Sequence, residues 1–329
     1  MRAVLTEPPG GLAATRITEV PEPDVDPDEV LVEIHAAALN PADRFLIDGR
    51  YPGGPQPPLI AGRDAAGIVL KGDRANRFPV GAGVVVLQST LTDLAHGTLC
   101  ERQRFASSTL APLPAGWSHA EGAAAPLVFQ TAWQALTCRG EPSPETTVAV
   151  IGAGGGVGLA AVQLALGLGM TVVALARADD KLRRLRDLGV GHALSLDQPD
   201  LKRAVHSALG RKGVDIVIDT VGGPQLGAAV HLLAPRGYVA VLGVLGGVDG
   251  VVPIPSLMFK RASIHGILVS GSTPDEAQAE WRRIVDVLER GRRRPIIDRC
   301  FPFHEFAQAF ARLGEHPFGK VVVEMRRQG

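Results

Sequence analysis

One segment constrains the fold of this chain more than any other. The strand-forming run Val148-Ala149-Val150-Ile151 leads directly into Gly152-Ala153-Gly154-Gly155-Gly156-Val157-Gly158, and the apolar stretch Leu159 to Leu168 follows. Five of those seven turn positions are glycine, whereas 39 glycines in 329 residues would place fewer than one there. A strand, a turn without side chains and a helix let the backbone approach a pyrophosphate, with helix N–H groups and the positive dipole end facing its charge. A flexible linker is the other reading of such glycines. Linkers, however, do not join a strand to an amphipathic helix. Strict G-x-G-x-x-G is not met, because Ala153 stands where the first glycine belongs. The candidate cofactor contacts are Ala153, Gly154, Gly155, Gly156 and Val157.

Similar alternation fills residues 121–270. Thr171 to Ala176, a helix from Asp179, Val214 to Asp219 and Tyr238 to Leu242 succeed one another, which is the pattern of an α/β, doubly wound parallel sheet. Helix is expected over Asp180 to Leu188 because Leu182, Leu185 and Leu188 make one stripe among charged residues, with Gly189 as the stop. Residues 1–120 read differently. Short runs of β-formers (Val30 to Ile34, Ala66 to Leu70, Gly83 to Leu87) are separated by Pro27, Gly72, Asp73 and Gly81, as in a mixed β domain. After residue 270 comes a helix, Ala277 to Leu288, with Trp281, Ile284, Val285 and Leu288 apolar, and then a tail containing Val321 to Val323. That tail is too short to fold alone. The expected organisation is a substrate domain formed by 1–120 and 271–329, with a dinucleotide-binding domain, 121–270, inserted into it.

The end of the second strand bears on cofactor choice. An acid there would accept a ribose hydroxyl of NAD, and an arginine suits the 2′-phosphate of NADP. The strand ends Leu175-Ala176-Arg177, and Asp179 and Asp180 come later as helix-capping acids. NADPH is therefore the expected cofactor, with Arg177 and Lys181 as phosphate contacts. Composition excludes other classes. Thirty-four basic residues balance thirty-four acidic ones, which does not favour a nucleic-acid surface. Three scattered cysteines fit neither a disulfide framework nor a clustered zinc site. No signal peptide or membrane-length apolar run is evident, so a cytoplasmic protein is expected.

Several motifs in order carry a resemblance over nearly the whole length. They are Ala38-Leu39-Asn40-Pro41-Ala42-Asp43, Gly62-Arg63-Asp64-Ala65-Ala66-Gly67-Ile68-Val69, Gln130-Thr131-Ala132-Trp133, the glycine turn, Gly213-Val214-Asp215-Ile216-Val217-Ile218-Asp219 and Gly319-Lys320-Val321-Val322. The chain resembles the zinc-independent medium-chain dehydrogenases/reductases, in their quinone oxidoreductase (zeta-crystallin-like) branch. The resemblance implies a Rossmann domain inserted in a GroES-like domain. The family's zinc enzymes carry a cysteine where this chain has Asn40 and a His-Glu pair where it has Arg63 and Asp64, and the four-cysteine structural zinc loop is absent. No metal is therefore expected. Reduction of a quinone or an activated C=C bond by NADPH is implied, since that charge spreads over an enolate or hydroquinone anion that hydrogen bonds can stabilise.

The resemblance also assigns residues. Asn40, Thr131, Gly243, Val244 and Lys320 would line the cofactor, Leu245 the acceptor, and Asn40 and Asp43 would serve catalysis. Where relatives often carry a tyrosine, this chain has Phe45, an apolar wall for the acceptor. Tyr51 is then the phenol available as proton donor or substrate contact, since Tyr238 is expected inside a strand. Two other readings stay open: an enoyl reductase acting on a carrier-bound or secondary-metabolite intermediate, and a non-catalytic NADPH-binding protein. The run Ile264 to Val269 is either an inner strand or an edge strand that pairs two subunits, and a homodimer is expected.

Overall fold

The computed structural model describes residues 1–88 and 95–325. Two compact units emerge: residues 1–127 with 270–282 and 294–329, and residues 128–269 with 283–293. The sequence boundaries differ, because they leave 283–293 with the first domain. In the structure that segment belongs to the second unit, where Val287 lies so close over Gly167 that a Cβ there would come within 2.6 Å of its Cγ1.

The second unit is built on a six-stranded sheet with every pair parallel. Its spatial order is His192–Ser195, Thr171–Ala176, Thr147–Ile151, Val214–Asp219, Leu233–Val241, Ser263–Gly266. Numbered along the chain this is 3-2-1-4-5-6, the doubly wound order whose direction reverses beside the first strand. Continuous β-branched runs suit strands covered on both faces, and Thr147–Ile151 is buried throughout. The glycine turn leaves the sheet at the reversal point.

Three helix readings need correction. Gly156–Gly167 is not amphipathic: every residue from Gly158 to Ala165 is buried, as expected of a helix that is apolar all round. Asp179 and Asp180 occupy the first turn of the helix Asp179–Asp187, where they complement the dipole, and Ala178 takes the cap position without a side-chain bond. The helix Pro274–Arg290 buries Trp281, Ile284, Val287 and Leu288, and Val285 is only half-buried. Leu182 and Leu185 are buried and Gly189 follows at φ 92°, as the stripe and stop predicted. Ser263–Gly266 is an edge strand, so only part of the run Ile264 to Val269 is extended.

In the first unit a seven-stranded sheet runs Ile297–Pro302, Lys320–Glu324, Glu29–Leu39, Asp64–Lys71, Gly83–Val86, Leu110–Pro112, with Arg102–Ala106 also paired to Glu29–Leu39. A smaller sheet joins Thr15–Glu19, Arg2–Thr6 and Leu59–Ile60. Glu29–Leu39 is twice the length expected, because Ala36 to Ala38, poor strand formers, are buried and paired on both sides. Its neighbours in register are the tail strand (Val321 opposite Leu39) and Asp64–Lys71 (Ala38 opposite Asp64). Three adjacent strands thereby bring Asn40, Asp64 and Lys320 to one end of the sheet. Val32, Ile34, Val69, Val84, Phe301 and Phe310 pack beneath.

Candidate functional site

At that sheet end Asn40 leaves the strand and precedes the helix Pro41–Ile47, which has proline in its first turn. The Asn40 N–H donates to Asp43 Oδ2 at 2.7 Å, half of a capping box. Its side chain is fully engaged. Nδ2 donates to Asp64 Oδ2 at 2.9 Å and to the Ala38 carbonyl at 3.3 Å, and Oδ1 accepts from Lys320 Nζ. Lys320 also pairs with Asp64 Oδ2 at 3.2 Å. Asp64 Oδ1 accepts the Leu127 N–H at 3.0 Å, which ties the carboxylate to the start of the helix Pro126–Thr137. Asp64 is wholly buried and Lys320 nearly so. An ion pair so placed is held by geometry and by the additional hydrogen bonds that satisfy its remaining atoms.

Asp43 is equally buried, and its Oδ1 has no partner. Burial pushes its pKa up to about 6, against the opposing pull of the Asn40 N–H and of the Lys320 and Arg63 charges. Arg63, buried beside this group, donates through Nη1 to the Tyr51 hydroxyl at 3.4 Å, while its Nε and Nη2 find no acceptor. Phe45 is half-buried, with the Arg50 guanidinium 5.9 Å from its ring centre. The structure thus gathers Asn40, Asp43, Tyr51 and Lys320 in the first unit and adds Arg63 and Asp64 to them. In sequence those two stand within the Gly62–Val69 motif and at positions where zinc enzymes carry ligands, and a charged Arg-Asp pair inside an otherwise apolar strand-forming run is the signal for them.

In the second unit the glycine turn is tightly formed. Gly152 has φ 75°, and a Cβ on Gly158 would lie 2.3 Å from the Gly152 oxygen. Gly155 caps the helix without a side-chain bond, so the N–H groups of Gly156, Val157 and Gly158 have no acceptor within the helix. A Cβ on Gly155 would meet only the Gly152 oxygen, at 3.5 Å, which leaves an open approach above those donors. The turn fits a pyrophosphate. Arg177 directly follows the second strand, exposed, and pairs with Asp197 at 3.2 Å. Lys181 is the third residue of the following helix. Thr131 is buried in the helix Pro126–Thr137. Gly243 opens the loop after Leu233–Val241 and abuts the loop after Val214–Asp219: its Cβ would sit 1.9 Å from the Thr220 oxygen, and one on Gly222 would sit 2.2 Å from the Gly243 oxygen. Val244 and Leu245 on that loop are exposed.

The donor set does not suit a zinc ion. A guanidinium has no lone pair to give, the Asn40 amide is already bonded at both ends, and a lysine ammonium lies against the carboxylate. Among the described residues no group of three or more His, Cys, Asp or Glu could hold a metal.

Comparison with known proteins agrees with the fold. A sequence family described as "Alcohol dehydrogenase GroES-like domain" matches residues 26–139, and one described as "Zinc-binding dehydrogenase" matches residues 156–290. A quinone oxidoreductase of Lama guanicoe is 29% identical over 99% of this chain and 98% of its own. Quinone oxidoreductase-like protein 2 of Bos taurus is 30% identical over 94% of this chain and 89% of its own. A crystal structure of an NAD-dependent alcohol dehydrogenase superposes with a TM-score of 0.90 at 30% identity, covering 99% of this chain and 100% of that one.

Proposed function

Because the chain belongs to the medium-chain dehydrogenases/reductases, of the quinone oxidoreductase type, which bind nicotinamide cofactors, we propose that it reduces a quinone or the activated C=C bond of an α,β-unsaturated carbonyl with NADPH and without a metal. One observation carries this reading. Where a zinc enzyme of the family would hold its metal, this chain has a buried hydrogen-bonded cluster of Asn40, Asp64 and Lys320 beside Arg63. Charge that develops on an acceptor must then be met by N–H and O–H groups, which suits conjugated acceptors better than an alkoxide.

A reduced nicotinamide, when bound, supplies the hydride. The protein binds, orients and handles the proton. Gly154 to Val157 and Ala153 present the turn to the pyrophosphate; Arg177 and Lys181 take the 2′-phosphate. In the second unit Thr131, Gly243 and Val244 serve the nicotinamide and Leu245 an apolar acceptor; in the first unit Phe45 offers an apolar face. Asn40 acts by fixing Lys320 and Asp64, since its own amide is spent. Asp43 and Tyr51 are the proton-bearing groups, and Asp43 holds a proton up to about pH 6.

A homodimer is part of the reading. Phe259 and Met258 are 87% and 65% exposed on the helix Ile254–Lys260, which buries none of its residues, and the edge strand Ser263–Gly266 follows it. Sedimentation at the mass of one chain would exclude it. Three free cysteines and the lack, among the described residues, of a helix able to cross a membrane support a cytoplasmic setting. The function itself is tested by following NADPH absorbance with a panel of quinones and enones, with and without a strong chelator. Oxidation of NADPH that the chelator leaves unchanged is the expected result, and no turnover with any acceptor would overturn the proposal.

A further inference from the structure

Positive charge collects along the helix Leu201–Leu209 and the turn behind it. Lys202 and His206 stand four residues apart on one row of that helix and Arg203 and Ser207 on the next, and Gly210 ends it at φ 61° before Arg211 and Lys212. These residues line an open cavity of about 500 Å³ in the second unit. A single acid, Asp200, shares the wall, and its Oδ1 is spent on the Arg203 N–H at 2.9 Å as the helix cap. Arg211 is answered by Asp215, at 2.9 and 3.2 Å. Lys202, Arg203 and Lys212 have no ion pair among the described residues, whereas on other helices Arg290 sits against Asp286 and Arg312 against Asp298. The field of these cations reaches further. His206 is held below its ordinary pKa by burial and by the charges of Lys202, Lys260 and Lys212, with Asp200 opposing, and His231 by burial and by Lys260 and Lys202. Like charges gathered this way repel one another.

We propose that this cavity is an anion site, separate from the glycine turn, for a small molecule that carries two or more phosphate groups. Its size is that of a small-ligand pocket, about 300–1,000 Å³. Arg203 offers a fork of N–H groups that fits phosphoryl oxygens two at a time, Lys202 and Lys212 supply point charges, and Ser207 adds a hydroxyl donor. The stretch from Lys202 to Leu209 spans about 10 Å of helix and Lys212 lies past its end, so one phosphate cannot meet every cation and a chain of phosphates can. The cavity shares no residue with the turn Gly152 to Gly158, nor with Arg177 or Lys181. It therefore stands whether or not the chain is a reductase. An anion held there pairs the charges that depress His206 and His231, and both should return toward their ordinary values.

Sodium tripolyphosphate is the probe. It is titrated into the full chain by calorimetry at constant ionic strength, with and without saturating NADPH, while the histidine ring signals are followed by NMR across pH. The wild type should keep one saturable site in the presence of NADPH, and the pKa of His206 should rise when that site fills. Lys202→Gln combined with Lys212→Gln changes two exposed side chains, so the protein should melt like the wild type and bind the probe at least about tenfold more weakly. Arg203→Gln should weaken it in the same direction. A wild type without saturable binding, or one whose His206 pKa the probe leaves unmoved, overturns the proposal without recourse to any variant. Unchanged affinity in the double variant overturns it as well. Loss of the site once NADPH is present would place the anion at the cofactor turn, and binding of heparin or DNA without binding of tripolyphosphate would mark a surface for long polyanions; either result also overturns it.

Discussion

Replacing Lys320 with methionine tests the buried cluster directly. Methionine keeps most of the apolar stem and removes the ammonium, so the change isolates charge and hydrogen bonding. In the variant Asp64, wholly buried, loses the one cation that lies within 4 Å of it among the described residues, and Asn40 Oδ1 loses its donor. Breaking a buried pair from one side costs about 3–5 kcal/mol, because the remaining charge is stranded. Asp64 keeps the N–H groups of Asn40 and Leu127, at 2.9 and 3.0 Å, which places the cost near the lower end, about 3 kcal/mol. For a unit of this size that corresponds to a fall in melting temperature of about 6–12 °C. Urea and thermal unfolding followed by far-ultraviolet circular dichroism, fitted to two transitions because the units can unfold separately, give the number. Removing the stranded charge as well, in Lys320→Met with Asp64→Asn, should restore at least half of the loss. A single variant that loses less than about 1 kcal/mol, or a double variant less stable than the single, would refute the argument, since that is the worth of an exposed pair.

Other predictions follow from the same geometry. Asp43 is protonated more readily in the folded chain, about pH 6, than in the unfolded one, at 3.8, so its contribution to stability is complete below about pH 4 and lost as pH rises to about 6. Asp43→Asn, which still accepts the Asn40 N–H, should therefore gain about 3 kcal/mol on the wild type between pH 4 and 7 in urea titrations; a difference independent of pH would sink the idea. Gly158→Ala should unfold or distort the second unit, whereas Gly155→Ala should melt like the wild type and bind NADPH at least about tenfold more weakly by fluorescence titration, a loss of about 1.4 kcal/mol. Unchanged binding in Gly155→Ala would remove the pyrophosphate from that turn. Arg177→Ala should weaken NADPH much more than NADH, and Asp197→Asn, which releases Arg177, should tighten NADPH by up to about fivefold; equal effects on both cofactors would show that Arg177 does not read the phosphate.

The second unit was the more legible part of the chain. Its central strands are buried on both faces, so Thr147–Ile151, Thr171–Ala176 and Val214–Asp219 appear in sequence as apolar runs rich in β-branched residues, while the outer strands His192–Ser195 and Ser263–Gly266 do not. The first unit hides its order. The pairing of Glu29–Leu39 with the tail strand joins residues nearly three hundred positions apart, and nothing local in Ala36-Ala37-Ala38 announces a strand. Of the candidate site, Asn40, Asp43 and Tyr51 were readable because they cluster in sequence. Arg63 and Asp64 were seen as losses of metal ligands, and their positive role depended on knowing which partners each atom has. The helix Gly156–Gly167 shows a different limit: periodicity finds helices by their polar face, and this one has almost none.

The contact between the loops that hold Gly222 and Gly243 has a practical meaning for anyone who redesigns this protein. Each backbone occupies the space where the other's side chain would stand, with Gly223 against Gly246 repeating the arrangement at 2.4 Å. The exposed side chains of Val244 and Leu245 can be varied alone, but a graft of residues 243–247 from a relative that replaces Gly243 or Gly246 must carry residues 220–223 with it, so that the two backbones behave as a single transplantable cassette.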